Sequence, residues 1–225
     1  MSLNAMPKAR RRSFLVVLML GVLATVAAAT AFTPAMSGFT ASINNTSNTV
    51  GTGTLTLSET QAAVTCLSSA SGTVTAANAG TCSTINKFGG NTTAVPGAVT
   101  ESTVTLQNTG TLTATTFTLT PSACVQSNNG PTNGTATDLC SKVNLTIQDT
   151  TATKCVLPAS ASACAAPTNT VNLASIGTTA IALPAPLAPG ASKTFKFSVQ
   201  VDNSVTNAYQ GLAANVPLTW AVSAS

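Results

Sequence analysis

From Val50 onward, apolar and polar residues alternate in short runs broken by Gly, Pro, Asn and Ser, the period-2 signature of strands with one buried face. The runs are "VGTGTLTLSE", "SGTVTAANAG", "VTESTVTLQNTG", "TLTATTFTLTPS", "KVNLTIQDTT", "NTVNLASIG", "TTAIALPAP", "SKTFKFSVQVDN" and "VPLTWAVSAS". Their number and close spacing predict an all-β fold: a single antiparallel β-sandwich of jelly-roll type over residues 51–225. Two runs share an entry device. Pro96-Gly97-Ala98 precedes Val104 and Leu106, and Pro189-Gly190-Ala191 precedes Phe195, Phe197, Val199 and Val201. Pro then Gly suits the centre of a type II turn, because Pro presets one dihedral and Gly accepts positive φ. By contrast, "VQSNNGPTNGTATD" and "LPASASACAAPTNT", between Cys124 and Cys164, are poor in apolar residues and read as long loops at one end of the sandwich.

Ahead of the sandwich stand two further patterns. Lys8, Arg10, Arg11 and Arg12 precede "SFLVVLMLGVLATVAAAT" and the small residues Ala29 and Ala31, the three-part layout of a secretory signal over residues 1–31. Cleavage is expected after Ala31, with Ala35-Met36-Ser37 as the alternative. The apolar run is near the ~18 residues of a membrane span, so an uncleaved anchor is the competing reading. "RRSFL" also resembles a twin-arginine signal, but so apolar a run fits the general secretory route. Residues 32–50 then form a donor-type strand segment. In "GFTASIN", Phe39, Ala41 and Ile43 share one face, with Thr40, Ser42 and Asn44 on the other. This segment is either the first strand of its own sheet or a strand offered to another copy.

Composition sharpens this picture. Charged residues make up only 6% of the chain, and its polarity comes from Thr, Ser and Asn, which suits strands and turns rather than exposed helices. Beyond the basic N-terminal cluster, five lysines face five acids, so the exported chain is close to neutral. It has no electrostatic footprint for nucleic acid or anionic lipid, and its contact with a membrane is confined to the signal before cleavage. It also lacks the self-repulsion that keeps copies apart.

Cys66, Cys82, Cys124, Cys140, Cys155 and Cys164 all follow the signal, and an even number in an exported chain reads as a disulfide set. Of fifteen possible pairings, their order favours neighbours: Cys66 with Cys82, Cys124 with Cys140, Cys155 with Cys164. Each would staple a local loop, contributing roughly 2–3 kcal/mol. The chain has no histidine and no C-x-x-C pair, which speaks against a metal site, an imidazole-based triad or a cofactor centre. Its few acids point to no paired-carboxylate site, and "GTGTLTL" enters a strand rather than a phosphate-binding helix. Lys87, in "CSTINKFGG", reads as an exposed loop lysine beside a disulfide. Trp220 alternates with Leu218 and Val222 and reads as core. No enzyme, catalytic residue or cofactor is expected.

Four stretches carry a resemblance: "FTASINNTSNTVGTGTLTL" after the small-residue signal end, "VTLQNTGTLTATTFTL", "LAPGASKTFKFSVQV" and "NAYQGLAANVPLTWAV". In this order the chain resembles the TasA/camelysin family of secreted Gram-positive proteins. The matching positions are Phe39 with Gly53-Thr54-Leu55, Asn108 to Leu112, and Tyr209-Gln210-Gly211 with Leu218 to Val222. The six cysteines, low charge and long Ser/Asn loops depart from the fibre-forming relatives. The resemblance implies a secreted subunit of a cell-surface or biofilm-matrix fibre, assembling with itself by N-terminal donor-strand complementation through Phe39, Ala41 and Ile43. An accessory or anchoring protein is a further implied partner. Camelysin relatives also carry a protease label, which a chain without histidine or an HExxH motif gives no residues to support. The alternative is a monomeric secreted adhesin that binds through the 124–164 loops.

Overall fold

The structure, a computed structural model, describes residues 43, 49–69, 73–74, 78–160, 162–168 and 171–224. The signal segment with Ala29 and Ala31, and the strand candidates Phe39 and Ala41, lie outside the described residues. The chain divides into two compact units, Met1–Gly51 and Thr52–Ser225. In the first, Ile43 carries no regular structure and is exposed.

The second unit is all-β. Eleven antiparallel strands are described: β1 (Leu57–Gln61), β2 (Val64–Leu67), β3 (Val99–Asn108), β4 (Thr116–Pro121), β5 (Val125–Asn128), β6 (Val143–Asp149), β7 (Lys154–Leu157), β8 (Ile181–Ala182), β9 (Ser192–Val201), β10 (Leu212–Asn215) and β11 (Leu218–Ser223). One turn of helix, α1 (Leu139–Lys142), leads into β6. A six-stranded sheet runs in the order β2-β1-β3-β9-β6-β7. Facing it are β11-β4-β8 and, continuing that ladder with a one-residue shift of register, β10-β5. Alternation decides what lies between the layers. Val104 and Leu106 from β3, Leu145 and Ile147 from β6, and Phe195 and Phe197 from β9 meet Phe117 and Leu119 of β4 in one core.

The Pro-Gly devices are tight turns. Ala98 N donates to Val95 O and Ala191 N to Ala188 O, both at 3.0 Å, with Gly97 at φ 82° and Gly190 at φ 74°. Asn108, fully buried at the end of β3, organises the next turn. Its Nδ2 donates to Leu112 O and Leu187 O, and its Oδ1 accepts from Gly110 N.

Several sequence expectations need correction. Among its described residues, "SGTVTAANAG" contains no strand. "NTVNLASIG" contributes a single bridge, Asn172 to Asn144, beside the start of β6, where β7 does not reach. The stretch after Cys124, expected as loop, opens with β5 (Val125–Asn128), and β7 runs to Leu157 at the start of the second such stretch, while β6 falls in the expected strand run "KVNLTIQDTT". β5 and β7 are four-residue strands whose neighbours hold them despite weak local patterning.

The cysteines pair as Cys66–Cys82, Cys124–Cys140 and Cys155–Cys164. Three disulfides belong to an extracellular or otherwise oxidising environment. Among the described residues, no helix is long and apolar enough to cross a membrane.

Candidate functional site

The feature that stands out is an unfinished sheet. β11 pairs with β4 on one side, and among the described residues no strand pairs with its other side. Ser122 N donates to Pro217 O, and Thr115 N donates to Ser223 O, both at 2.8 Å. Bonded and non-bonded pairs alternate in an antiparallel ladder, so Thr219, Ala221 and Ser223 exchange bonds with β4. The backbone groups of Leu218, Trp220 and Val222 therefore point to the open edge. Their side chains turn inward and are half-buried against the core, while Thr219, Ala221 and Ser223 face outward.

A groove of about 980 Å³ lies along this edge, between β11 and the inner face of β1. Leu55, Leu57 and Leu106 supply apolar wall across from Leu218 and Val222, and Ile85 of the β2–β3 connection also lines the groove. A second groove, of about 710 Å³, continues along β10 and shares Asn86, Phe88 and Asn215 with the first. Its floor is apolar, with Val143, Val199 and Val201, its rim carries amides such as Asn91, Asn129 and Gln210, and no charged residue lines it. The two grooves together follow the chain from Leu212 to Val222.

One charged cluster sits in the first groove. Glu59 Oε1 accepts from Trp220 Nε1 at 2.9 Å and from Lys87 Nζ at 2.6 Å, and the Lys87 ammonium lies 5.6 Å from the Trp220 ring centre. The Lys87 side chain is only 11% exposed, which corrects its expected position in solvent. The cause is tertiary: a carboxylate 28 positions earlier on β1 and an indole from β11 converge on it, satisfying a buried charge that would otherwise be costly. Trp220 packs as expected, 5.8 Å from Phe117 and 5.4 Å from Phe195 between ring centres, but its indole N–H also anchors the cluster. No local pattern pointed to Glu59 as a partner.

The other acids serve structure. Glu101 is held below its ordinary range by Lys196, whose ammonium lies 2.9 Å away, helped by the Ser198 hydroxyl. The Tyr209 hydroxyl donates to Asp138 at 2.7 Å, lowering the carboxyl pKa and raising that of the phenol. Asp149 caps the turn after β6 by accepting from Thr151 N and Ala152 N. Among the described residues, no group of three or more potential ligands could hold a metal ion.

None of the cysteines lies on the β11 edge, but Cys66 and Cys82 line the first groove and tie the connection after β2 back to that strand. Among the described residues the site thus offers backbone donors and acceptors that no strand pairs, above apolar sockets, which is what an added strand requires. No protein-family model matches this chain, and no curated protein matches it either.

Proposed function

We propose that this chain is an exported structural subunit of a cell-surface or matrix fibre, in which the N-terminal strand segment of one copy pairs with the β11 edge of the next. The observation that carries the proposal is the open edge itself, with the backbone of Leu218, Trp220 and Val222 unpaired by any described strand above an apolar groove. An added strand gains affinity from main-chain hydrogen bonds and specificity from alternate side chains in pockets. Phe39, Ala41 and Ile43 recur at the spacing that such sockets need. Because donor and acceptor are different surfaces, the contact is head to tail and repeats into a filament instead of closing on itself. The near-neutral exported chain favours such association, and the ordered likeness to TasA/camelysin proteins points the same way.

The adhesin alternative has less support, because β5, α1, β6 and β7 occupy much of the 124–164 region proposed for binding. Negative-stain electron microscopy of residues 32–225 beside residues 50–225 tests the proposal. Fibres are expected from the first chain and none from the second. Folded monomers from both, at high concentration, would overturn it.

A further inference from the structure

The open edge of the second layer is not bare. The connection from β2 to β3, residues 68–98, contains no strand or helix among its described residues, and those residues line the grooves beside β11 and β10. Residues 78–83 and 85–88 line the first groove, and most of residues 86–98 line the second. A connection of this length whose described residues form no strand or helix is uncommon in a compact domain, where such segments serve either function or as linkers.

A short set of ties holds it in place. Ile85 is buried in the core, and Lys87 pairs with Glu59. Gln61 clasps the Asn86 backbone from both sides: its Nε2 donates to Asn86 O at 3.0 Å, and its Oε1 accepts from Asn86 N at 3.1 Å. Further along, Asn91 Nδ2 donates to Thr100 Oγ1 and Asn129 Nδ2 donates to Thr92 O. The Asn86 N–H is thus bonded by the Gln61 side chain and its carbonyl by Gln61, by Gly89 N at 3.0 Å and by the Ser102 hydroxyl, and none of these partners is on β11. Segments held by few apolar anchors and side-chain bonds belong to the low-stability end of a fold. The Cys66–Cys82 disulfide fixes one end and β3 the other, so residues 83–98 can leave the groove without being lost from the molecule.

We infer that residues 83–88 are a displaceable plug: they close the strand-acceptor groove of the unassembled subunit and are expelled when the N-terminal strand of another copy docks. This rests on the fibre proposal and adds its control step. A subunit with its own plug in place resists both premature polymerisation and the indiscriminate pairing to which open edges are prone.

Gln61→Ala tests the inference, because Gln61 lies at the end of β1, lines neither groove and touches the plug through its clasp, its Nε2 donating besides to Ser102 Oγ of β3. Hydrogen exchange by mass spectrometry is followed on residues 32–225, wild type and variant, in dilute solution and after assembly, with the assembly lag read by light scattering. In dilute protein, the variant should exchange residues 83–90 about tenfold faster, as expected for losing a pair of hydrogen bonds. Its lag should shorten by a similar factor. On assembly of the wild type, residues 218–223 should slow while residues 83–90 accelerate. If residues 218–223 slow but residues 83–90 stay protected, the plug remains seated, and this inference fails while the fibre proposal stands. An unchanged lag in a variant whose plug exchanges faster also overturns it. If neither chain assembles and residues 218–223 never slow, both proposals fall.

Discussion

β9 and β11 carry the same alternation of apolar and polar residues, yet they occupy opposite situations. β9 is flanked by β3 on one edge and β6 on the other, and its Phe195 and Phe197 are fully buried. Among the described strands β11 is bonded to β4 alone, and its inward residues Leu218, Trp220 and Val222 are half-buried beside a groove. Alternation therefore says which face of a strand goes inside. It does not say how many neighbours the strand will have, and in this molecule that second quantity separates a structural strand from a candidate binding edge.

Substitutions in the two strands put this contrast at risk, and the largest effect belongs to the enclosed one. Phe197→Ala should destabilise the domain by about 3–5 kcal/mol, the cost of emptying a well-packed aromatic site, read as a shift in the urea midpoint. Trp220→Phe keeps most of the ring but removes the N–H donated to Glu59, and should cost about 1.5–3 kcal/mol. If Trp220→Phe proved as damaging as Phe197→Ala, β11 would be as enclosed as β9 and the contrast would collapse.

A proline pair sharpens the comparison further. Thr219→Pro removes an N–H bonded to β4 and should cost about 2 kcal/mol. Val222→Pro removes an N–H aimed at the open edge and should cost about 1 kcal/mol, while abolishing fibres in electron micrographs. Equal losses of stability from the two would show that β11 has partners on both sides.

The smallest effect is that of acid, and it belongs away from β11. Glu101, Asp138 and Asp202 have pKa values lowered in the fold, chiefly by Lys196, by the Tyr209 hydroxyl and by the Ser204 backbone N–H respectively. A lowered carboxyl pKa stabilises the fold above the ordinary carboxylate range, and that contribution is lost as the pH falls through the folded value. The unfolding midpoint should be flat near neutrality and decline gently below the ordinary carboxylate range, since all three groups are well solvated. Lys196→Met should flatten the part of that decline due to Glu101.

The strands most legible in the sequence are those with clear alternation and a turn before them: β3, β4, β6, β9 and β11. β2, β5, β7 and β10 have four residues each, among them Cys, Gln, Asn and Ala, and they form because a neighbouring strand offers a ladder. Lys87 was misleading for a related reason. Its Gly/Asn-rich surroundings read as exposed loop, while the residues that bury it, Glu59 and Trp220, lie 28 and 133 positions away.

The sequence by itself determined the all-β class, the inward faces of the long strands and the two Pro-Gly turns, and its cysteine order favoured the neighbour pairing that the structure shows. These depend on side-chain period and on bonds that span few residues. Only the tertiary structure decided that no described strand pairs with the second edge of β11, that the β2–β3 connection lines the groove beside it, and that Glu59, Lys87 and Trp220 meet there. Which edges stay open depends on how distant segments close two layers around one core, and the local pattern of a strand is the same whether a neighbour arrives or not.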